Sequence, residues 1–295
     1  MTNLLKWIGV VAGGLAIVLI LAVVILSARG RSALNQTFEV TGLLTSVPSD
    51  SAAIAEGQHL ALIHACAYCH GENLAGELMI DAPPFRVVAS NLTRGAGGVG
   101  GSYSHQDWDR VIRHGVRPDG TPLLPIMPSA NAYHDLSDPD AAKLIAYLSQ
   151  IPPVDNELPP SRLKLLGQIL AGLGALDPAA EVDPTPARTD MPDKGPTIEY
   201  GEYLANITCS ACHGPDFRGA PPIDPESPPA PGLTTVAAWP AEDFARAVRE
   251  GVAPDGRQYH EVMPYTAFTH MTDDEITALR SYFGTLIAGA EPTGS

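Results

Sequence analysis

The chain has 295 residues, 45% of them apolar, and a formal net charge of −15. Its length accommodates two domains of ordinary size, and its apolar fraction excludes a disordered chain. The acidic balance excludes nucleic-acid binding, because such a surface repels a phosphate backbone, and it favours basic partners. Twenty-eight prolines and 28 glycines cluster between apolar runs, which predicts helices joined by long loops rather than extended sheet.

In chain order, the first predicted element occupies residues 1–30. From Trp7 to Leu26 no residue is charged, and at helical rise that stretch crosses a hydrocarbon core about 30 Å thick. A cleavable signal would have a shorter apolar region ending in a small-residue cleavage site, and Leu26-Ser27-Ala28 fits that poorly. The expectation is an uncleaved transmembrane anchor. Lys6 on one side and Arg29 and Arg31 on the other leave its orientation undecided by charge.

The rest of the chain is an internal repeat over residues 52–151 and 195–288. Gly57, Leu60 and Ala61 precede Cys66-Ala-Tyr-Cys69-His70-Gly71 as Gly201, Leu204 and Ala205 precede Cys209-Ser-Ala-Cys212-His213-Gly214. Further on, Asp107 to Gly120 matches Asp243 to Gly256, and seven residues later each half has Met-Pro, at Met127-Pro128 and Met263-Pro264. Each half closes on an expected helix, introduced by Ser137-Asp-Pro-Asp140 or by the capping box Thr272-Asp-Asp-Glu275. Leu136, Leu144 and Leu148, and in the second copy Ile276, Leu279 and Phe283, recur at helical spacing and are expected in the core. Between the repeats, residues 152–194 are rich in Pro and Asp. An apolar stripe within them (Leu163, Leu166, Ile169, Leu170, Leu173, Leu176) predicts a connecting helix packed across the two domains, with a membrane-surface or partner-docking helix as the alternative.

All four cysteines fall in two Cys-x-x-Cys-His motifs, the spacing for covalent attachment of c-type haem. Two thiols three residues apart reach the two vinyl groups of one porphyrin edge, and the next residue brings an imidazole to the iron. A zinc site would need two further Cys or His at suitable spacing, and a redox dithiol has no use for the histidine. Two bound haems also account for an aromatic content of only 6%, since each supplies part of a core.

Both repeats resemble the class I, mitochondrial-type cytochrome c family. The resemblance implies an all-α fold of two tandem cytochrome c domains behind the anchor, with Cys66, Cys69, His70, Cys209, Cys212 and His213 holding two covalently bound haem c groups. It further implies Met127 and Met263 as sixth ligands to iron, with Met79 and Met271 the next choices. More loosely, it implies that Pro83 or Pro84 and Pro221 or Pro222 offer a carbonyl to the proximal histidine, and that Gly57 and Gly201 lie at a helix crossing opposite Tyr147 and Tyr282. Arg113 and Arg249 are expected either to neutralise haem propionates or to pair with surface carboxylates. Asn91 and Gly232, each followed by Leu-Thr, are expected along the haem edge.

Filled His/Met coordination points to single-electron transfer in a respiratory or dehydrogenase-linked chain and away from catalysis. The enzymatic alternative is a di-haem peroxidase. Partners are expected to be redox proteins (a dehydrogenase, terminal oxidase or soluble cytochrome) and the membrane. Haem attachment outside the cytoplasmic membrane implies a bacterial single-pass protein with periplasmic or outer-face domains. The repeated Arg-x-Gly-Val-x-Pro-Asp-Gly with Met-Pro resembles cytochrome subunits of bacterial membrane-bound dehydrogenases, although those carry three attachment motifs and this chain two. A haem-copper oxidase subunit and an independent anchored cytochrome remain open.

Overall fold

A computed structural model describes residues 2–40, 43–222 and 227–288. Met1 of the expected anchor and 223–226 of the expected second domain lie outside the described residues. The first helix, α1 (Thr2–Leu34), runs on past the apolar stretch. Its segment Asn3–Leu34 is long and apolar enough to cross a membrane, and the most apolar window is not covered by the rest of the protein.

The first repeat contributes α2 (Ser51–Ile63), the short α3 (Cys66–His70), α4 (His105–His114) and α5 (Asp138–Leu148). Asp50 caps α2 through Ala53 N, and Ser104 and Asp107 close a reciprocal capping box on α4, so polar side chains satisfy the free N–H groups at both starts. The helix-rich fold carries one unexpected element. Strands β1 (Glu77–Asp81), β2 (Phe85–Ala89) and β3 (Arg162–Leu163) form an antiparallel sheet in that order, with an irregularity at Met79.

The connecting segment continues from β3 into α6 (Leu165–Gly172). This helix does not bridge the two repeats. It packs antiparallel on the end of α1, where a Cβ on Gly30 would collide with the Gln168 carbonyl and one on Gly172 with the Leu26 carbonyl. The remainder of the segment is pinned to the first repeat. Glu181 accepts from Ala130 N and Asn131 N, and the His114 Nδ1–H donates to Asp183 O at 2.8 Å.

The second repeat supplies α7 (Ile198–Thr208), α8 (Ser210–His213), α9 (Ala241–Glu250), the single turn α10 (Tyr265–Phe268) and α11 (Asp273–Ala288). Thr272 and Glu275 close the expected capping box. In each repeat the helix before the cysteines crosses the last helix, α2 on α5 and α7 on α11. Gly57 lies against the Lys143 carbonyl and Tyr147, and Gly201 against the Ala278 carbonyl and Tyr282; the expected crossing is present twice. The expected core leucines are buried, as are Ile276, Leu279 and Phe283.

The two cores merge into one, and their interface is self-complementary. Alignment of the repeats makes His59 equivalent to Tyr203, and Asp140 to Glu275. His59 Nε2 lies 2.8 Å from Glu275 Oε1, while the Tyr203 hydroxyl donates to Asp140 Oδ2 at 3.0 Å. His64 and its counterpart Thr208 meet each other at 3.3 Å. Reciprocal pairs of this kind define a pseudo-two-fold axis, as in an isologous dimer.

Candidate haem sites

In the first repeat the chain turns from α2 into α3 through Ala65, whose φ of 56° makes the left-handed step that folds the attachment motif back on the domain. Cys66, Cys69, His70 and Met127 then line one partly open cavity together with Met79, Leu92, Trp108 and Leu144. The four residues expected to act together are brought together. Met79 lines the same cavity, while Met271, the alternative in the second repeat, is buried core.

His70 Nδ1 lies 2.7 Å from the Ser90 carbonyl, and His213 Nδ1 lies 2.7 Å from the Pro231 carbonyl. A carbonyl only accepts, so in both rings Nδ1 carries the proton and Nε2 keeps a lone pair suited to a metal. Burial lowers the pKa of both histidines, which keeps the imidazoles neutral as a ligand must be. The carbonyls come from Ser90 and Pro231, which corrects the expectation of Pro83 or Pro84 and Pro221 or Pro222. Those prolines precede the loop, whereas Ser90 and Pro231 stand immediately before Asn91-Leu-Thr and Gly232-Leu-Thr.

The two Met-Pro turns share a geometry. Ser129 N donates to Met127 O and Tyr265 N to Met263 O, each at 2.8 Å. An i to i+2 bond centred on proline is an inverse γ-turn, for which the fixed proline φ is suited. Both Met side chains leave these turns to pack on the core. Cys209 also packs on this core and His213 is buried.

Burial pushes Cys66 and Cys209 up to about 12. Such burial disfavours the thiolate on which dithiol redox chemistry depends. Among the described residues no group of three or more His, Cys, Asp or Glu is placed to hold a metal ion by protein donors alone. The first cavity is largely apolar, and it faces a buried Trp108 Nε1–H and a buried His64 Nε2 that have no partner. An apolar plate with carboxylate substituents fits such a site, since it fills the volume and offers an acceptor to the indole.

The arginines divide. Arg113 is 1% exposed and bonded to Asp109, Asp138 and the carbonyls of Leu136 and Arg188, so it is engaged away from the cavity. Arg249 donates to Met271 O and pairs with the exposed Asp273. Asn91 is structural, donating to Val154 O at 2.8 Å, whereas Leu92 beside it lines the cavity. Sequence reasoning missed Tyr133, whose hydroxyl donates to His64 O at 2.9 Å close to the first attachment motif.

Each repeat is therefore built as a c-type haem-attachment domain. The family model for cytochrome c matches residues 198–286, and that for cytochrome c oxidase, cbb3-type, subunit III matches residues 52–148. The chain is a c-type cytochrome with two cytochrome c domains and two covalently bound haem c groups. It is similar to the fructose dehydrogenase cytochrome subunit of Gluconobacter japonicus (29% identity, 90% of this chain and 58% of that protein). It is also similar to the gluconate 2-dehydrogenase cytochrome c subunit of Pantoea cypripedii (27% identity, 81% and 60%) and to a diheme cytochrome c-type protein of Cereibacter sphaeroides (26% identity, 77% and 84%). The chain thus spans less than two thirds of the length of the two dehydrogenase subunits.

Proposed function

We propose that this protein is a membrane-anchored di-haem cytochrome that passes single electrons from a dehydrogenase toward a terminal oxidase or a soluble cytochrome. The observation that carries the reading is the repetition of one constellation across a pseudo-two-fold axis: two Cys-x-x-Cys-His motifs, each with a proton-fixed histidine and a Met-Pro γ-turn. In this reading 52–151 and 195–288 are the haem domains and 152–194 joins them. Cys66, Cys69, Cys209 and Cys212 form the thioethers, His70 and His213 are proximal ligands, and Met127 and Met263 are distal ligands. Haem iron supplies one-electron chemistry, and His/Met ligation raises its potential. The chain contributes position. Ser210 Oγ donates to Asn131 O at 2.9 Å and the Tyr68 hydroxyl donates to Glu261 O at 3.2 Å, so both attachment motifs are tied across the interface.

The similarity to dehydrogenase cytochrome subunits supports a dehydrogenase as donor, and α1 supports single-pass anchoring in the bacterial cytoplasmic membrane with both domains on the periplasmic or outer face. The peroxidase alternative gains no support, since the relatives are cytochrome subunits of dehydrogenases and a diheme cytochrome. The test is a potentiometric titration of the purified full chain with haem quantified after acid-acetone extraction. Two haems that stay with the protein and two one-electron waves are expected. A porphyrin extracted into solvent, or a wave that vanishes on adding carbon monoxide to the reduced protein, would overturn the reading.

A further inference from the structure

The sequence favours α6 as a bridge between domains, yet the helix lies along the end of α1, and its depth there follows from the length of the apolar stretch. If α1 crosses the bilayer, the twenty residues Trp7–Leu26 fill roughly 30 Å of hydrocarbon. Gly172 meets α1 at Leu26, and partial burial of α1 extends inward to Ala22 and Val23. The C-terminal turn of α6 is therefore level with the outer edge of the hydrocarbon. At that turn Leu173 is 62% exposed, followed by exposed Gly174 and Ala175, while Leu165 and Leu166 are 56% and 45% exposed further out.

The turn is also prepared for a medium poor in water. Gly174 adopts φ of 75°, and Leu173, Gly174 and Ala175 N–H groups donate to the carbonyls of Ile169, Ala171 and Leu170, a Schellman-type ending that leaves few backbone groups in need of solvent. No charged residue occurs from Leu165 to Leu176. Cations bracket the outer end instead: exposed Arg29 and Arg31 on α1, exposed Arg162, and Lys164, which pairs with Asp81. In a chain of net charge −15, basic residues on this one rim are complementary to anionic headgroups.

We propose that α6 is a second membrane contact, with Leu173 and its turn seated at the boundary between headgroups and acyl chains of the outer leaflet. The proposal rests on the anchor reading of α1. Because β3 joins α6 to the sheet of the first domain, the contact fixes the height and tilt of the first haem domain over the bilayer.

The experiment uses the haem-loaded full chain in nanodiscs of phosphatidylethanolamine and phosphatidylglycerol that contain a phospholipid with a diazirine in its acyl chain. After illumination, labelled peptides are located by mass spectrometry. Label is expected on residues 7–26 and also on 165–175, and Leu173→Asp should reduce the second several-fold without changing the first or the haem content. Label on 7–26 with none on 165–175 overturns the proposal and leaves the anchor standing. Label on neither overturns both. Label on 165–175 that Leu173→Asp leaves unchanged also overturns the proposal.

Discussion

Arg113→Ala and Arg249→Ala are the same substitution at equivalent positions of two copies of one fold, and the structure assigns them different costs. Arg113 bonds Asp109 through Nε at 2.5 Å and Nη2 at 3.0 Å, and Asp109 is fully buried, its other partner being the Leu44 N–H. Removing the guanidinium leaves a buried carboxylate short of its counter-charge, which costs about 3–5 kcal/mol. It also frees the carbonyls of Leu136 and Arg188 and the half-exposed Asp138. Arg249 is one quarter exposed and its partner Asp273 almost wholly so; a screened pair of that kind contributes about 0–1 kcal/mol, to which the bonds to Met271 O add about 1 kcal/mol. Since 1 kcal/mol moves the midpoint of a merged unit of this size by roughly 2–4 °C, Arg113→Ala should lower the melting midpoint by at least about 6 °C. Hydrogen exchange read by mass spectrometry separates the domains: peptides of α4 and α5 should lose protection in Arg113→Ala, and peptides of α9 and α11 should change little in Arg249→Ala. Equal, small losses in both would refute the reasoning. So would a stable Arg113→Ala protein with a lowered potential at one haem, because Arg113 would then be facing a propionate.

Gly57→Ala and Gly201→Ala each drive a methyl group into a carbonyl of the crossing helix, and each should cost about 1–3 kcal/mol or more, read as a lowered denaturation midpoint with unchanged haem content. Interdomain docking should weaken on the alkaline side. The hydrogen bond to Glu275 raises the His59 pKa above 6.5, so its stabilisation is complete below 6.5 and is lost as pH rises through the raised value. His59 and Thr272 hold the Glu275 carboxyl below its usual 4.5 against the opposing effect of burial, so that share is lost only as pH falls through the depressed value. Thermal melts from pH 6 to 9 should show a decline that His59→Gln removes; an unchanged slope in that variant would remove His59 from the account. If Met127 and Met263 ligate the irons as proposed, Met127→Leu and Met263→Leu should each abolish about half of the near-infrared band of Met-to-iron charge transfer, and each should lower the potential of one haem only. If Met127→Leu is silent, Met79, which lines the same cavity, becomes the ligand to test.

Where a residue's role follows from its neighbours in sequence, the chain was legible. The attachment motifs, the Met-Pro turns and the glycine crossings are patterns seen twice, and repetition separates a pattern from chance; the Thr272 capping box stands in one copy and was legible from its own four residues. The sheet was not legible, because Glu77 to Ala89 has little alternation and its hairpin turns through Pro83-Pro84, which reads as loop. Its third strand comes from a distant segment of two residues, too short to show any period. Arg113 and Arg249 looked equivalent because the motif around them is shared. Their main difference lies inside the motif and could have been read there: Arg113 pairs with buried Asp109, whose counterpart in the second copy is Ala245, and the Arg188 carbonyl of the connecting segment adds a further bond to the first copy. The carbonyl acceptors of the proximal histidines were missed by weighting prolines over position: Ser90 and Pro231 correspond in the repeat, and a backbone carbonyl does not depend on residue type.

The repeat is symmetric at its centre and asymmetric at its edge. Across the pseudo-two-fold axis His59 answers Tyr203, Asp140 answers Glu275 and His64 answers Thr208; the chemistry of each pair has changed while its position has not, as expected where geometry rather than a particular bond is kept. Away from the axis, and among the described residues, the first copy carries three strands, a helix against α1 and a connecting segment clamped through Glu181 and His114, with no counterpart in the second. The helix seats the first domain on α1, and the connecting segment is clamped to the first domain and also stacks Arg188 on Tyr203 of the shared core. The second domain is held by the interface and the chain connection, so changes at His59 or Tyr203 act on how it docks, changes at Gly30 or Gly172 act on how the first domain is seated on α1, and changes at Arg113 act on the first domain itself.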